Sequence, residues 1–198
     1  MPEYFKKKVL ILGDGAVGKT SLIRRYVVDK FSDEYITTIG TKTTKRDITL
    51  AVSGQTWNVS LLIWDVLGQK GYTEVQTSAF QGAKGVILVY DLSRPETRGS
   101  LVDYWIPRVW QVVGRLPMAV FANKADIASD LAAEELQLHS LCELYQCEGY
   151  VTSAKTSKEP ITLKTRLLTA RAEYAFDSFS VVGVASRLEN SMYWVLNL

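Results

Sequence analysis

The chain has 198 residues, 47% hydrophobic and 22% charged, which is ordinary for one soluble globular domain with its own core. A net charge of +2 gives no basic field that would point to nucleic acid as a partner. The single histidine, His139, excludes histidine-built zinc clusters and argues against Ser-His-Asp chemistry; the five-residue spacing of Cys142 and Cys147 fits neither a metal pair nor a natural disulfide, so both read as buried or half-exposed thiols of a reducing compartment.

At the start, Met1-Pro2-Glu3 shows no signal-peptide pattern, and Pro2 stands where myristoylation needs glycine. Lys6-Lys7-Lys8 is expected to be a solvated edge opening the first strand, whose apolar run is Val9–Leu12. Then comes Gly13-Asp14-Gly15-Ala16-Val17-Gly18-Lys19-Thr20, followed by a helical pattern over Lys19–Val28 that includes Ser21. A strand, a glycine-rich turn and a helix in that order form a phosphate cradle. Glycines let successive backbone N–H groups converge without an intervening Cβ, and the helix presents its positive end to the anion. Lys19 can neutralise β- and γ-phosphates, and the Thr20 hydroxyl can ligate Mg²⁺. The ligand this predicts is a nucleoside polyphosphate.

Phe31–Gly40 is polar and β-branched without a helical period, and reads as a mobile loop. Thr43–Val52 and Thr56–Asp65 read as strands joined by a hairpin turn at Ser53-Gly54-Gln55. Asp65 at the end of the second of these, beside a phosphate loop, is placed to hold Mg²⁺ directly or through water. Gly68 can bring its N–H to a terminal phosphate, and Gln69 can orient a water by donating and accepting at once. Alone, D-x-x-G-Q is a weak signal; coupled to the phosphate loop it becomes strong.

Helical patterns follow over Tyr72–Phe80, Thr97–Val113, where Pro107 is expected to kink or divide the helix, Asp130–Tyr145 and Ile161–Phe179. Strand-like runs cover Gly85–Asp91, Met118–Asn123 and Tyr150–Ser153. The fifth run continues into Asn123-Lys124-Ala125-Asp126. One carboxylate can accept from both the N1–H and the 2-amino group of guanine, whereas adenine would leave Asp126 unpaired at a cost of about 1–3 kcal/mol. Asn123 would tie the loops together, the Lys124 stem would cover a face of the base, and in Ser153-Ala154-Lys155 the Ala154 N–H would donate to the guanine O6. The pattern is α/β: a six-stranded, mostly parallel sheet with one antiparallel hairpin and helices on both faces.

Together these motifs resemble the Ras superfamily of small GTPases, in matching order from about Lys7 to Lys155. Trp64-Asp65, Gly82-Ala83-Lys84-Gly85, Tyr90-Asp91 and Trp105 are most similar to the Rab branch. The resemblance implies a P-loop NTPase with a Ras-like G domain over residues 1–178 and an extension over 179–198. It also implies GTP or GDP with Mg²⁺, the metal held by Thr20, Thr38 and Asp65. Phe31 and Tyr35 would join Gly13 through Ser21, Thr38, Gly68, Asn123, Lys124, Asp126 and Ser153 through Lys155 in holding the nucleotide, with Gln69 and Lys19 catalytic. Two switch loops, about Asp29–Thr43 and Val66–Ser78, would meet effectors, an exchange factor and an activating protein, and Gly15 would leave room for an incoming arginine.

The sequence departs from the family in three places. Asp65-Val66-Leu67-Gly68 replaces the common D-T-A-G, which motivates a rival reading as a binding module with little hydrolysis. Thr41-Lys42-Thr43 replaces an acidic-aromatic ending. The last residues, Val195–Leu198, carry no cysteine for prenylation, so no direct lipid anchor is expected. A monomer is expected, cytoplasmic and recruited to membranes through partners. An ATP-dependent P-loop enzyme is a further rival, against which Asn123–Asp126 argues. In the tail, Val181, Val184, Leu188, Met192 and Val195 fall near one helical face, and both a docked helix and a poorly ordered end stay open.

Overall fold

Along β1 (Glu3–Leu12) successive apolar side chains point to opposite faces of the sheet, and each face has its own core. Val9 and Ile11 pack with Val59, Leu61 and Ile63 of β3 (Gln55–Val66) and with Ile23 of α1 (Lys19–Val28). Leu10 and Leu12 pack on the other face with Val86, Leu88 and Tyr90 of β4 (Gly85–Asp91), and with Phe80 of α2 (Thr73–Phe80). The same core takes Trp105 from a π-helical turn (Leu101–Trp105), Val109 from α4 (Ile106–Val113) and Leu138 from α5 (Leu131–Tyr145). Helices therefore cover both faces, as the alternation predicts.

The computed structural model describes residues 3–28, 38–52 and 55–156. The remaining elements are β2 (Thr41–Val52), α3 (Pro95–Ser100), β5 (Met118–Asn123), a 3₁₀ turn (Ala125–Ile127) and β6 (Glu148–Val151). The six strands run in the order β2-β3-β1-β4-β5-β6, with β2 antiparallel to β3 and every other pair parallel. The winding reverses where β1 lies beside β4, and in open α/β sheets ligands bind beyond the carboxyl ends of strands at such a point. The loop after β1 is the glycine-rich one.

Several boundaries differ from expectation. β1 starts at Glu3, and its residues through Ile11 pair with Trp57–Asp65, so Lys6-Lys7-Lys8 lies within an interior strand. Lys8 is accommodated because its ammonium sits 3.6 Å from the Trp64 ring centroid and donates to the Gln81 carbonyl at 2.8 Å. Burial lowers its pKa from the ordinary value. β2 begins two residues early, at Thr41, and β6 runs Glu148–Val151 in place of Tyr150–Ser153. The break expected at Pro107 takes the form of the π-helical turn Leu101–Trp105 between α3 and α4. Pro107 has no N–H for the carbonyl of Asp103, and the turn before it is widened, with the Ile106 N–H bonding the Leu101 carbonyl five residues back. Ser53 and Gly54 of the expected turn, Ile161–Phe179 and the 179–198 extension lie outside the described residues.

Candidate functional site

The phosphate loop is built by backbone conformations that only certain residues tolerate. Gly13 has φ +141°, and a Cβ there would sit 2.1 Å from the Val89 carbonyl oxygen. Gly18 has φ +98°, and its Cβ would meet Asn123 Nδ2 at 2.3 Å. Val17 between them is fully buried and pins the loop to the core. The first helical bond of α1 runs from the Leu22 N–H to the Gly18 carbonyl at 2.9 Å, so the loop leads straight into a helix N-terminus.

Lys19 is 6% exposed, and its ammonium donates to the Gly13 and Asp14 carbonyls at 2.7 and 2.9 Å. Burial pushes its pKa down to about 8, against the pull of the Asp65 and Asp14 carboxylates. An acidic side chain at Asp14 would repel phosphate. The structure turns it away: Asp14 Oδ1 accepts from the indole of fully buried Trp105 at 2.8 Å, which leaves the loop's backbone for an anion.

Three oxygens from separate segments converge beside Lys19. Thr20 Oγ1, at the start of α1, donates to Asp65 Oδ2 at 2.5 Å and lies 3.1 Å from Thr38 Oγ1. Thr38, just ahead of β2, donates to the same Asp65 oxygen at 3.3 Å. Asp65 Oδ1 is buried without a hydrogen-bond partner. Burial raises the Asp65 pKa, opposed by the Thr20 hydrogen bond and by Lys19. An orphaned carboxylate oxygen among hydroxyls, without nitrogen or sulfur donors, fits a hard divalent cation such as Mg²⁺. A Cβ on Gly68 would come within 2.5 Å of Lys19 Nζ and 2.7 Å of the Asp14 carbonyl, so only glycine permits this approach.

Gln69 stands apart from this cluster. Its side chain is exposed, and what is anchored is its backbone: the Gln69 carbonyl accepts from buried Gln76 Nε2 at 3.1 Å. Gln76 Oε1 accepts from the Tyr104 hydroxyl at 2.8 Å, and that hydroxyl accepts from the Gly71 N–H at 3.1 Å. Val66 and Leu67 are buried, and the Leu67 N–H bonds the Gly40 carbonyl at 2.9 Å, joining the two candidate switch segments.

The expected base-recognition loops meet at Asn123, which is 1% exposed. Its Nδ2 donates to the Val17 carbonyl at 2.8 Å, and its Oδ1 accepts from Thr152 Oγ1 at 3.2 Å and the Ala154 N–H at 3.3 Å. Asp126 Oδ1 accepts from Ser153 Oγ at 2.5 Å. Lys124, left-handed at φ +69°, places its ammonium 2.7 Å from Asp91 Oδ2. Gly15 contributes a carbonyl to Arg94, and Lys155 a carbonyl to Arg25. Phe31 and Tyr35 lie outside the described residues.

Three further residues support the site without belonging to a nucleotide motif. Asp91, fully buried at the end of β4, accepts from Ser93, Arg94 and Lys124. The signal was present, because Asp91 ends an apolar strand just as Asp65 does. Arg94 then donates to the Gly15 carbonyl at 2.9 Å, bracing the phosphate loop. Arg25 on α1 donates to the Ala154 and Lys155 carbonyls, each at 3.0 Å, and no motif marks it.

Residues 8–169 match the model of the Ras family. Ras-related protein Rab-21 of Bos taurus is 33% identical over 153 residues, 76% of this chain and 66% of its own length. Ras-related protein Rab-13 of Rattus norvegicus is 31% identical over 151 residues, 76% of this chain and 72% of its own. Rab-21 of Geodia cydonium is 31% identical over 154 residues, 77% and 65% of the two lengths. The chain thus spans about two thirds of the Rab-21 relatives that it matches.

Proposed function

The chain belongs to the Ras family of small GTPases, close to its Rab branch, and from that footing we propose a guanine-nucleotide switch that binds GTP and GDP with Mg²⁺ and slowly hydrolyses GTP. The observation that carries this reading is the convergence of Thr20, Thr38 and Asp65, with its orphaned oxygen, beside buried Lys19.

Mg²⁺ would be held by Thr20 and Thr38 with Asp65 behind them, and when bound supplies charge compensation at the phosphates. Lys19 exchanges its loop carbonyls for phosphate oxygens, and the N–H groups of Gly13 through Ser21 carry the rest of the cradle. Gly68 offers its N–H to the terminal phosphate. Gln69 orients the attacking water once its exposed side chain swings inward, and the anchored carbonyl makes that a side-chain motion. Asp126 accepts from the guanine N1–H and 2-amino group, with Ser153 fixing the carboxylate. Arg94 is held by Asp91 and the Gly15 carbonyl, so an activating protein supplies the catalytic arginine. Effectors and an exchange factor read the two switch segments.

Residues 1–178 form the G domain in this reading and 179–198 an extension. The protein works as a cytoplasmic monomer brought to membranes by partners. Among the described residues no helix is long and apolar enough to cross a membrane. The exposure of the Gln69 side chain favours a second reading, a nucleotide-binding module with little hydrolysis.

The test of binding is equilibrium titration with fluorescent GDP, competed by GTP and ATP, with and without Mg²⁺. GTP is expected to compete, ATP to fail and Mg²⁺ withdrawal to weaken binding. Equal competition by ATP would contradict it.

A further inference from the structure

The C-terminal close of α5 brings the two cysteines together. Five residues along a helix separate two side chains by roughly 140° around its axis, so spacing alone keeps them apart. Gln146, however, is left-handed at φ +54° and reverses the chain. The Cys147 N–H then bonds the Cys142 carbonyl at 3.0 Å and the Gln146 N–H bonds the Glu143 carbonyl at 3.3 Å. This pair of bonds is a Schellman close, which sets side by side the two residues joined by its outer bond. That contact is commonly apolar; here it is between two free, half-buried thiols that pack against the same core. A Cβ on Gly149 would lie 2.6 Å from Cys142 Sγ, so the sulfur rests on the backbone of β6.

We propose that Cys142 and Cys147 form a dithiol–disulfide site, closed by exchange with a small-molecule disulfide and reopened by a small thiol. The Cys147 thiolate attacks one sulfur of the small disulfide, whose S–S bond breaks to release one small thiolate. Cys142 gives its proton to solvent and attacks the Cys147 sulfur of the mixed disulfide, expelling the second. The protein loses two electrons and two protons, and the small disulfide becomes two thiols. The closeness of the two sulfurs favours the thiolate at Cys147 and, with burial, holds the Cys142 thiol protonated. Closure staples α5 to the residue that leads into β6, five positions before Thr152, which bonds Asn123.

The full chain is incubated with oxidised glutathione at neutral pH, quenched in acid, and its mass and alkylation sites are read. The expected product lacks two hydrogens, resists alkylation at both cysteines, carries no glutathione and returns to the dithiol with dithiothreitol. Cys142→Ser is expected to accumulate a glutathione adduct on Cys147, and Cys147→Ser to react roughly tenfold more slowly. Amide exchange in Glu148–Val151 slows on oxidation. A lasting glutathione adduct on the native chain, two alkylatable thiols after treatment, or equal disulfide yield in folded and urea-unfolded protein would overturn the proposal.

Discussion

Asn123 joins the loop after β5 to the phosphate loop: its Nδ2 donates to the Val17 carbonyl at 2.8 Å, across 106 positions of sequence. The same amide oxygen gathers Thr152 and Ala154 from the end of β6. One buried side chain therefore fixes three loops relative to one another, and the pieces expected to hold the phosphates and the base share that support.

Asn123→Ala should weaken both fold and ligand binding. It leaves the Val17 carbonyl, the Thr152 hydroxyl and the Ala154 N–H without this partner, and a buried group left unpaired costs about 1–3 kcal/mol. Calorimetric melting and GDP dissociation rates measure the two effects. A variant that melts and releases GDP like the parent would remove Asn123 from its role as the tie.

Asp126→Asn should move base preference from guanine towards xanthine, because an amide no longer accepts from two donors side by side. A discrimination of about 1–3 kcal/mol, roughly tenfold or more, is expected in competition binding. Retained guanine preference would mean that the base is read elsewhere.

Gly68→Ala should leave GDP bound but prevent the approach of Gly68 to the phosphate loop. The added methyl would stand 2.5 Å from Lys19 Nζ and 2.7 Å from the Asp14 backbone, and backbone cannot step aside cheaply. Comparing GTP and GDP affinities decides this: the expected loss falls on GTP. Equal affinities in parent and variant would argue against the close approach.

Asp91 should contribute stability that disappears in acid. Burial works against its charge, but hydrogen bonds from Lys124, Ser93 and Arg94 outweigh burial and hold its pKa down to about 2, from an ordinary 3.8. A carboxyl lowered in the folded state stabilises fully above its unfolded pKa and loses that contribution as pH falls towards the folded value. Parent and Asp91→Asn should differ in urea midpoint at pH 6 and converge as pH approaches about 2. A constant difference across that range would contradict the assignment.

The architecture was legible because local signals agreed with one another. Strand alternation, a glycine-rich turn at the right strand end and a polar loop after each later strand all specify the same parallel sheet. Lys19, Thr20, Asp65 and Asn123 were legible for a related reason: each lies within a residue or two of a strand end or helix start, and such ends collect on one edge of the sheet. The extent of β1 was not, because three lysines resemble a solvated start until Trp64 and the Gln81 carbonyl are seen beside Lys8. Arg25 and the Trp105–Asp14 bond depend on which helix face meets which loop, and a helical period does not specify that. Neither does spacing reveal that Gln146 turns the chain back and joins Cys142 to Cys147.

GTP hydrolysis is measured by loading the purified chain with GTP and Mg²⁺ and following bound GTP and GDP by chromatography over hours. A hydrolysing switch converts GTP slowly with first-order kinetics, on the order of 10⁻⁴–10⁻³ s⁻¹, the intrinsic rate of Ras itself. GTP that stays bound and unconverted would contradict hydrolysis and leave the binding module as the reading of this site.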